Sequence, residues 1–291
     1  MKIAFLGLGI MGSRMASNLL KNSVDLTVHN RSKAPIIALE KEGAKVADSA
    51  VEAVADADLV FSMLSTPEVV ETLFFGEDGC LAAMKKNALW VDCTTVNPSF
   101  SILAGKEAQK YGIRFVDAPV AGTKPQAQNA ELVYFVGGEN SVVNEIEPIL
   151  KYMGNKVVHI GETGKGASFK MLVNMMVAQS MLIFSEAVLL GEKMGIAKDF
   201  LLDILPNLVV AAPFTKSKAE LIRADDYDVQ FPLEWMHKDL HLAAITAYEN
   251  KQPLYLVNLA KELYADANKS GLSRLDFAAI YKFLERKNQQ D

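Results

Sequence analysis

The sequence predicts an α/β domain built on a parallel sheet, followed by an all-α domain that opens with one long helix. Three observations carry this. Up to about residue 160 short apolar runs alternate with amphipathic stretches, beyond Gly166 the strand signals stop, and the turn after the first run holds Gly7, Gly9 and Gly12. Regular alternation of strand and helix patterns is the signature of a parallel sheet with helices on both faces.

In chain order the predicted strands are "KIAFLG", "DLTVHN", a short one over Lys45–Ala47, "DLVFSML", "ALWVDCT", "RFVDAP", "LVYFVGG" and "KVVHIG". Helical patterns such as "GSRMASNLLKN" and "PEVVETLF" lie between them. The remainder reads as long helical patterns through Leu284, broken at "VVAAPF", "YDVQFPL" and "NKQPL". The change of period divides the chain into domains 1–162 and 163–291, with a helix over 167–192 as the joint. Only the polar tail "RKNQQD" reads as disordered.

A chain of 291 residues with 50% hydrophobic and 22% charged residues has the composition of a soluble globular protein. Its net charge of -5 and lack of any basic run argue against nucleic acid as a partner, since phosphate binding needs clustered Lys and Arg. Cys80 and Cys93 form no paired motif, so a reducing compartment is expected and a thiolate metal site is not. His237 and His241 have helical spacing but lack the following glutamate of the metalloprotease pattern, and no metal is expected. The N-terminus opens directly into a strand, without a charged-then-apolar leader. The apolar stretch from 165 to 184 is interrupted by Lys170, Asn174 and Gln179 and makes a poor membrane span. A cytoplasmic location is the expectation.

Gly7, Gly9 and Gly12 stand in Gly-x-Gly-x-x-Gly spacing between the first strand and a helix. The first glycine permits the tight turn, the second lets the backbone approach a pyrophosphate, and the third lets helix pack on strand. The amides of Gly7–Gly12, with Leu8, Ile10 and Met11 between the glycines, then face phosphate at a helix N-terminus. This is the fingerprint of a Rossmann-type dinucleotide site. Where the second strand of an NAD site ends in Asp or Glu, this one ends in Asn30, Arg31 and Ser32. Asn30 can bond a ribose without repelling a 2′-phosphate, and Arg31 can pair with that phosphate, so NADP(H) is the expected cofactor.

The apolar helix near 170 carries Lys170 and, four residues on, Asn174 on the same side. A lysine ammonium is costly to bury without a partner or a purpose. Hydride transfer to a carbonyl builds negative charge on oxygen, which a positioned ammonium can stabilise and protonate.

"GLGIMG", "VHNRS", "MLSTPEVV", "VDCTTVNP", "DAPVAGTKPQA", "GKGASFKMLVNMM", "FPLEWMHKDL" and "GLSRLDFAAI" follow one another as in the β-hydroxyacid dehydrogenases, and most resemble the glyoxylate and succinic semialdehyde reductases among them. The resemblance covers nearly the whole chain. It implies Lys170 as general acid and Asn174 as the residue orienting the substrate or the lysine. It also implies Thr95 near nicotinamide and substrate, and Met63, Leu64 and Ser65 at the end of the fourth strand beside the cofactor ribose. Phe231 is implied as a substrate-closing aromatic and Asp239 as a charged group of the cleft.

One position departs from the family. The substrate loop usually reads Asp-x-Pro-Val-Ser-Gly, and here Ala121 stands where the serine would be. Gly122 and Thr123 can still offer backbone amides to a carboxylate, with the Thr123 hydroxyl as a substitute donor. A lost hydrogen bond to a charged group costs about 1.5 to 3 kcal/mol. The expectation is an NADPH-dependent reductase of small aldehyde or keto acids. The alternatives are a 3-hydroxyisobutyrate-type dehydrogenase and a non-catalytic NADPH-binding scaffold; an imine reductase typically lacks the lysine. A homo-oligomer, dimer or tetramer, is also expected, because the long apolar helix and the helical half expose more apolar surface than one small domain hides.

Overall fold

The computed structural model describes residues 1–287. The chain divides into two compact units, the first Met1–Lys170 and the second from Met171 onward, so the boundary falls inside the long helix Lys165–Lys193.

The first unit holds a sheet of strands β1 (Lys2–Leu6), β2 (Asp25–His29), β3 (Lys45–Val46), β4 (Leu59–Ser62), β5 (Leu89–Asp92), β6 (Arg114–Asp117), β7 (Val120–Ala121), β8 (Leu132–Gly137) and β9 (Gly154–Gly161). Its order is β3-β2-β1-β4-β5-β6-β8-β7, with β9 also on β8. The first six strands are parallel in the order 3-2-1-4-5-6, which is the doubly wound dinucleotide-binding arrangement. Two features depart from the expectation of a parallel sheet throughout. A two-residue strand, β7, appears before β8, and β8 runs antiparallel to both β6 and β7 while β9 runs parallel to β8.

Side chains alternate across a strand, and the two faces of β1 show it. Ile3 and Phe5 enter one core with Met15, Leu19, Val28 and Phe61, whereas Ala4 and Leu6 enter another with Val54, Val60, Phe74 and Trp90. Helices therefore cover both faces. The helix Gly12–Lys21 buries Met15, Ala16 and Leu19 on the first, and the helix Pro98–Lys110 buries Phe100, Ala104 and Ala108 on the second.

The second unit is helical, with Lys198–Ile204, Thr215–Ala224, Leu233–Glu249, Tyr255–Ala267 and Ile280–Lys287 beside the long helix. Its core gathers Met171, Ala178, Met181 and Val188 of the long helix with Leu233, Met236, Leu240, Tyr264 and Ile280. Among the described residues, the long helix is the one long and apolar enough to cross a membrane, and under half of its most apolar stretch is buried. Arg286 and Lys287 belong to the last helix; Asn288–Asp291, the rest of the polar tail, lie outside the described residues.

Candidate active site

The glycine turn at the end of β1 is fixed by steric contacts that leave no room for a side chain. Gly7 has φ +93°, and a Cβ there would strike the Met63 carbonyl oxygen, while one on Gly12 would strike the Gly7 carbonyl oxygen. Gly9 differs: a Cβ would meet nothing within 4 Å, so the outer side of the loop stands open to a ligand. The helix Gly12–Lys21 starts from Met11 with no side-chain cap, and its Ser13 and Arg14 amides donate to the Gly9 and Met11 carbonyls, which continues the loop into the helix. Ile10 supports the turn by accepting from Arg14 Nη1 at 2.6 Å.

Of the other expected cofactor residues, Asn30, Met63 and Leu64 meet this turn. The Gly7 amide donates to the His29 carbonyl, and the Leu8 amide donates to Asn30 Oδ1 at 3.0 Å, so the end of β2 holds the glycine loop. Asn30 Nδ2 donates to the Ser32 carbonyl at 3.1 Å. Arg31 and Ser32 are exposed, and Ser32 is the uncapped N-cap of the helix Lys33–Lys41. Met63 donates its amide to Leu6, and Leu64 donates to Thr94 Oγ1 at 3.0 Å. Ser65 and Thr95 are half-buried just past the ends of β4 and β5.

A buried polar chain at those strand ends was not foreseen. Trp90 Nε1 donates to Ser62 Oγ at 2.8 Å, Ser62 Oγ donates to Asp92 Oδ1 at 2.7 Å, and the Thr94 amide donates to the same oxygen at 3.1 Å. It fixes the backbone that presents Leu64 and Thr95. The signal available was the pair of polar residues, Ser62 and Asp92, closing two otherwise apolar strands.

The expected substrate loop begins at β7, where Ala121 pairs with Val133. Gly122 has φ +123°, and a Cβ there would crowd Leu132 and Gln126. Thr123 caps the short helix Lys124–Gln128, and both its amide, at 2.9 Å, and its hydroxyl, at 3.0 Å, donate to Gln126 Oε1. Both Thr123 donors expected to serve in place of the family serine are thus held by Gln126. Buried Asn18 ties this helix to the cofactor helix by donating to the Ala127 carbonyl at 2.8 Å.

Lys170 lies on the long helix and is only 9% exposed. The start of that helix is anchored by Asp117, at the end of β6, a residue the sequence did not single out. Asp117 Oδ1 accepts from the Gly164 amide at 2.6 Å and Oδ2 from the Ala167 amide at 2.7 Å. A Cβ on Gly137 or Gly166 would crowd this carboxylate, which accounts for both glycines. Burial raises the Asp117 pKa to about 6, against the pull of the two amides.

In the second unit, Asn174 Nδ2 donates to Asp239 Oδ2 at 2.5 Å, and Lys238 Nζ lies 3.0 Å from Asp239 Oδ1. Asp239 is 2% exposed, so it serves Asn174 and Lys238 rather than standing as an open charge. Phe231 packs edge-on to Phe277 at 5.8 Å, and its amide donates to Asp276 Oδ2. The same oxygen accepts from Gln230 and from buried Lys218, two further partners the sequence did not reveal. Half-buried His237 is pushed below the ordinary histidine value, first by burial and then by His241. Among the described residues no group of three or more His, Cys, Asp or Glu is placed to hold a metal ion.

Two family models cover the chain. The NAD binding domain of 6-phosphogluconate dehydrogenase matches residues 2–161, and the NAD-binding domain of NADP-dependent 3-hydroxyisobutyrate dehydrogenase matches residues 164–284. Glyoxylate/succinic semialdehyde reductase 2 of Arabidopsis thaliana is 35% identical over 97% of this chain and 79% of its own. Glyoxylate/succinic semialdehyde reductase 1 of the same plant is 33% identical over 96% of this chain and 97% of its own. Among solved structures, Mycobacterium tuberculosis 3-hydroxyisobutyrate dehydrogenase with L-serine is 30% identical over 97% of this chain and 98% of that one, with a TM-score of 0.87.

Proposed function

The chain belongs to the β-hydroxyacid dehydrogenase family, and on that premise we propose that it reduces small aldehyde or keto acids, such as succinic semialdehyde and glyoxylate, to hydroxy acids with NADPH. It is an NAD(P)-dependent oxidoreductase acting on CH-OH groups. The observation that carries the reductase reading is Lys170, a lysine only 9% exposed one helical turn before Asn174.

The cofactor's pyrophosphate is assigned to the Gly7–Gly12 turn on its open Gly9 side, toward the amides from Gly9 to Gly12, because the Gly7 and Leu8 amides already donate to His29 and Asn30. Its ribose is assigned to Asn30 and to the Met63–Ser65 strand end, and its 2′-phosphate to Arg31 and Ser32. The neutral Asn30 and the exposed guanidinium beside an uncapped helix start support the phosphorylated cofactor. Bound reduced nicotinamide supplies the hydride. Lys170 stabilises the charge that builds on the carbonyl oxygen and gives it a proton, leaving a neutral amine to be recharged from water. Asp239 holds the Asn174 amide with its nitrogen inward, so that Asn174 Oδ1 remains the acceptor for a substrate hydroxyl or for the lysine. The substrate carboxylate is assigned to the Gly122 and Thr123 amides and the Thr123 hydroxyl, where it takes the place of Gln126 Oε1, and Thr95 is assigned to the nicotinamide and substrate. The chain is also assigned a homo-oligomeric state, supported by exposed Leu172, Met176, Ile183, Leu190 and Met194.

Turnover followed by nicotinamide absorbance tests this. NADPH consumption with succinic semialdehyde and glyoxylate, but not with an aldehyde lacking a carboxylate, is expected. Lys170→Ala is expected to lower kcat by about 10²- to 10⁴-fold with cofactor affinity little changed; retained turnover would remove the role. The likeness to a 3-hydroxyisobutyrate dehydrogenase supports a second reading, oxidation of a hydroxy acid with NAD. Faster NAD reduction by 3-hydroxyisobutyrate than NADPH oxidation by either aldehyde acid would select it.

A further inference from the structure

Two parts of the proposed reaction spring from one residue. Asp117 closes β6 and leads directly into the loop 118–123, to which the substrate carboxylate is assigned. The same side chain grips the start of the long helix, one turn before Lys170. It is 1% exposed, and its two oxygens divide between amides three residues apart, Gly164 on Oδ1 at 2.6 Å and Ala167 on Oδ2 at 2.7 Å. Ala167 and Lys170 are again three apart, so the lysine stands on the same side of the helix, one turn beyond the grip.

The joint has no slack. A Cβ on Gly166 would lie 2.3 Å from the Phe135 carbonyl oxygen and 2.8 Å from Asp117 Oδ2, and one on Gly137 would lie 2.5 Å from Asp117 Oδ1. The helix start therefore meets the ends of β6 and β8 at backbone distance. Phe135 of β8 ties both sides together: its amide donates to the Pro119 carbonyl of the loop at 3.0 Å, and its ring meets that of Phe169 edge-on with centroids 4.8 Å apart. The root of the loop is fixed further by the Ala118 amide, which donates to the Asp92 carbonyl at 2.7 Å.

We infer that Asp117 is a positioning residue that sets the spacing between Lys170 and the substrate loop, and through that spacing discriminates among carbonyl acids by their length. The role rests on the reaction proposed above, with Lys170 as the acid. The carbonyl oxygen must reach the Lys170 ammonium while the carboxylate stays on the loop, and a misplacement of about 1 Å costs on the order of 100-fold in rate. In glyoxylate the carbonyl carbon is bonded directly to the carboxylate, so this substrate cannot bend to follow a displaced lysine. Succinic semialdehyde has two methylenes between the same groups and curls to fit.

The test uses the full chain at pH 8, where Asp117, with a pKa of about 6, is ionised. Asp117→Asn keeps the shape of the side chain but offers one acceptor oxygen and an NH2 group, so one of the two amides loses its partner. Single-turnover oxidation of bound NADPH, followed by absorbance, separates geometry from folding: the rate reports each folded site, and the amplitude reports how many sites are folded. The rate is expected to fall by about 10- to 100-fold with glyoxylate and by a smaller factor with succinic semialdehyde, at unchanged amplitude and NADPH affinity. Gly166→Ala, which displaces the helix start while the carboxylate remains, is expected to rank the two acids in the same order. Leu150→Ala, a cavity in the core of the same unit, is expected to lower the urea midpoint and leave the rate unchanged. A lower amplitude at unchanged rate in Asp117→Asn, or equal losses of rate on both acids, overturns the inference and leaves the proposed reaction standing. If Asp117→Asn does not fold, the same outcomes in Gly166→Ala decide. Retained turnover in Lys170→Ala removes the proposed reaction itself, and this role with it.

Discussion

At Gly12 in the first unit one added carbon would strike the Gly7 carbonyl oxygen, whereas at Lys218 in the second an ammonium 2% exposed lies against Asp276 and Gln230. Both arrangements hold a loop that carries candidate site residues. The cofactor turn is held by backbone packed so closely that only glycine fits. The Phe231 segment is held by charge: Asp276 takes Lys218 and the amides of Gln230 and Phe231 on Oδ2 and the Ala278 amide on Oδ1. Burial pulls Lys218 below its ordinary value even with Asp276 beside it, so the desolvation cost is large. Steric exclusion costs the backbone entropy of fixing glycine but needs no partner side chain, whereas a buried ion pair stands only while both partners remain.

The largest expected effect on ligand binding breaks the steric side. Gly7→Ala must place a methyl against the Met63 carbonyl at a left-handed φ, so the turn shifts and NADPH affinity is expected to fall at least about 100-fold, roughly 3 kcal/mol. Fluorescence titration reads this, and Gly9→Ala, with open space around it, is the control for what a methyl does without a collision in the protein. Unchanged affinity for Gly7→Ala would mean that packing does not set the turn.

The next effect breaks the ionic side. Lys218→Met removes the cation and leaves Asp276 buried, for which about 3 to 5 kcal/mol of destabilisation is expected. The three backbone amides on Asp276 favour the lower end of that range. Urea unfolding measures it. A loss below about 1 kcal/mol would show that the amides alone hold the segment, and the contrast between the two units would disappear.

These two sites also separate what the sequence disclosed from what it hid. The glycine spacing lies within six residues and each glycine answers a local steric demand, so the turn and the strand-helix alternation were legible. The polar partners lie far apart in sequence: Asp117 with Gly164 and Ala167, Asn174 with Asp239, Lys218 with Asp276. No residue pattern within a window names such a partner. Asp239 could therefore be marked as a charge near the substrate, but its commitment to Asn174 appears only in three dimensions. Thr123 could be proposed as a donor, and its partner Gln126 was in fact legible three residues on, as the T-x-x-Q pattern of a capping box that commits Thr123 to the helix start. The reversed direction of β8 and β9 was hidden for a related reason, since an apolar run looks the same read either way and only the connection sets its sense.

Asp117 combines both modes, a buried carboxylate held by backbone amides, and it sharpens the comparison through pH. Its pKa in the fold is raised to about 6, so between the ordinary aspartate value and about 6 the folded chain keeps a proton that the unfolded chain has lost. Folding stability from this group is therefore present at low pH and falls as pH rises through that window, by on the order of 3 kcal/mol. Surface carboxylates such as Asp25 and Glu145, lowered by Lys45 and Arg114, change in the opposite sense at lower pH. The difference between wild type and Asp117→Asn, followed by urea unfolding from pH 4 to 7, isolates the term. The variant is expected to lack the fall, and parallel curves would mean that the amides, not burial, set the proton's affinity.

The smallest effect tests a group that is neither packed nor buried. Arg31 is exposed, so its attraction for a 2′-phosphate is screened by water and salt. Arg31→Ala is expected to lower the preference for NADPH over NADH in kcat/KM by about tenfold, roughly 1.4 kcal/mol, mainly by weakening NADPH. Rising ionic strength should reduce the wild-type preference toward that of the variant, because screening removes the same term. Gly7→Ala should instead weaken both cofactors alike, since the pyrophosphate it disturbs is common to them. If Arg31→Ala left the ratio unchanged, the phosphate would have to be recognised by the uncapped start of the helix at Ser32, and discrimination between the cofactors would rest on backbone in the first unit after all.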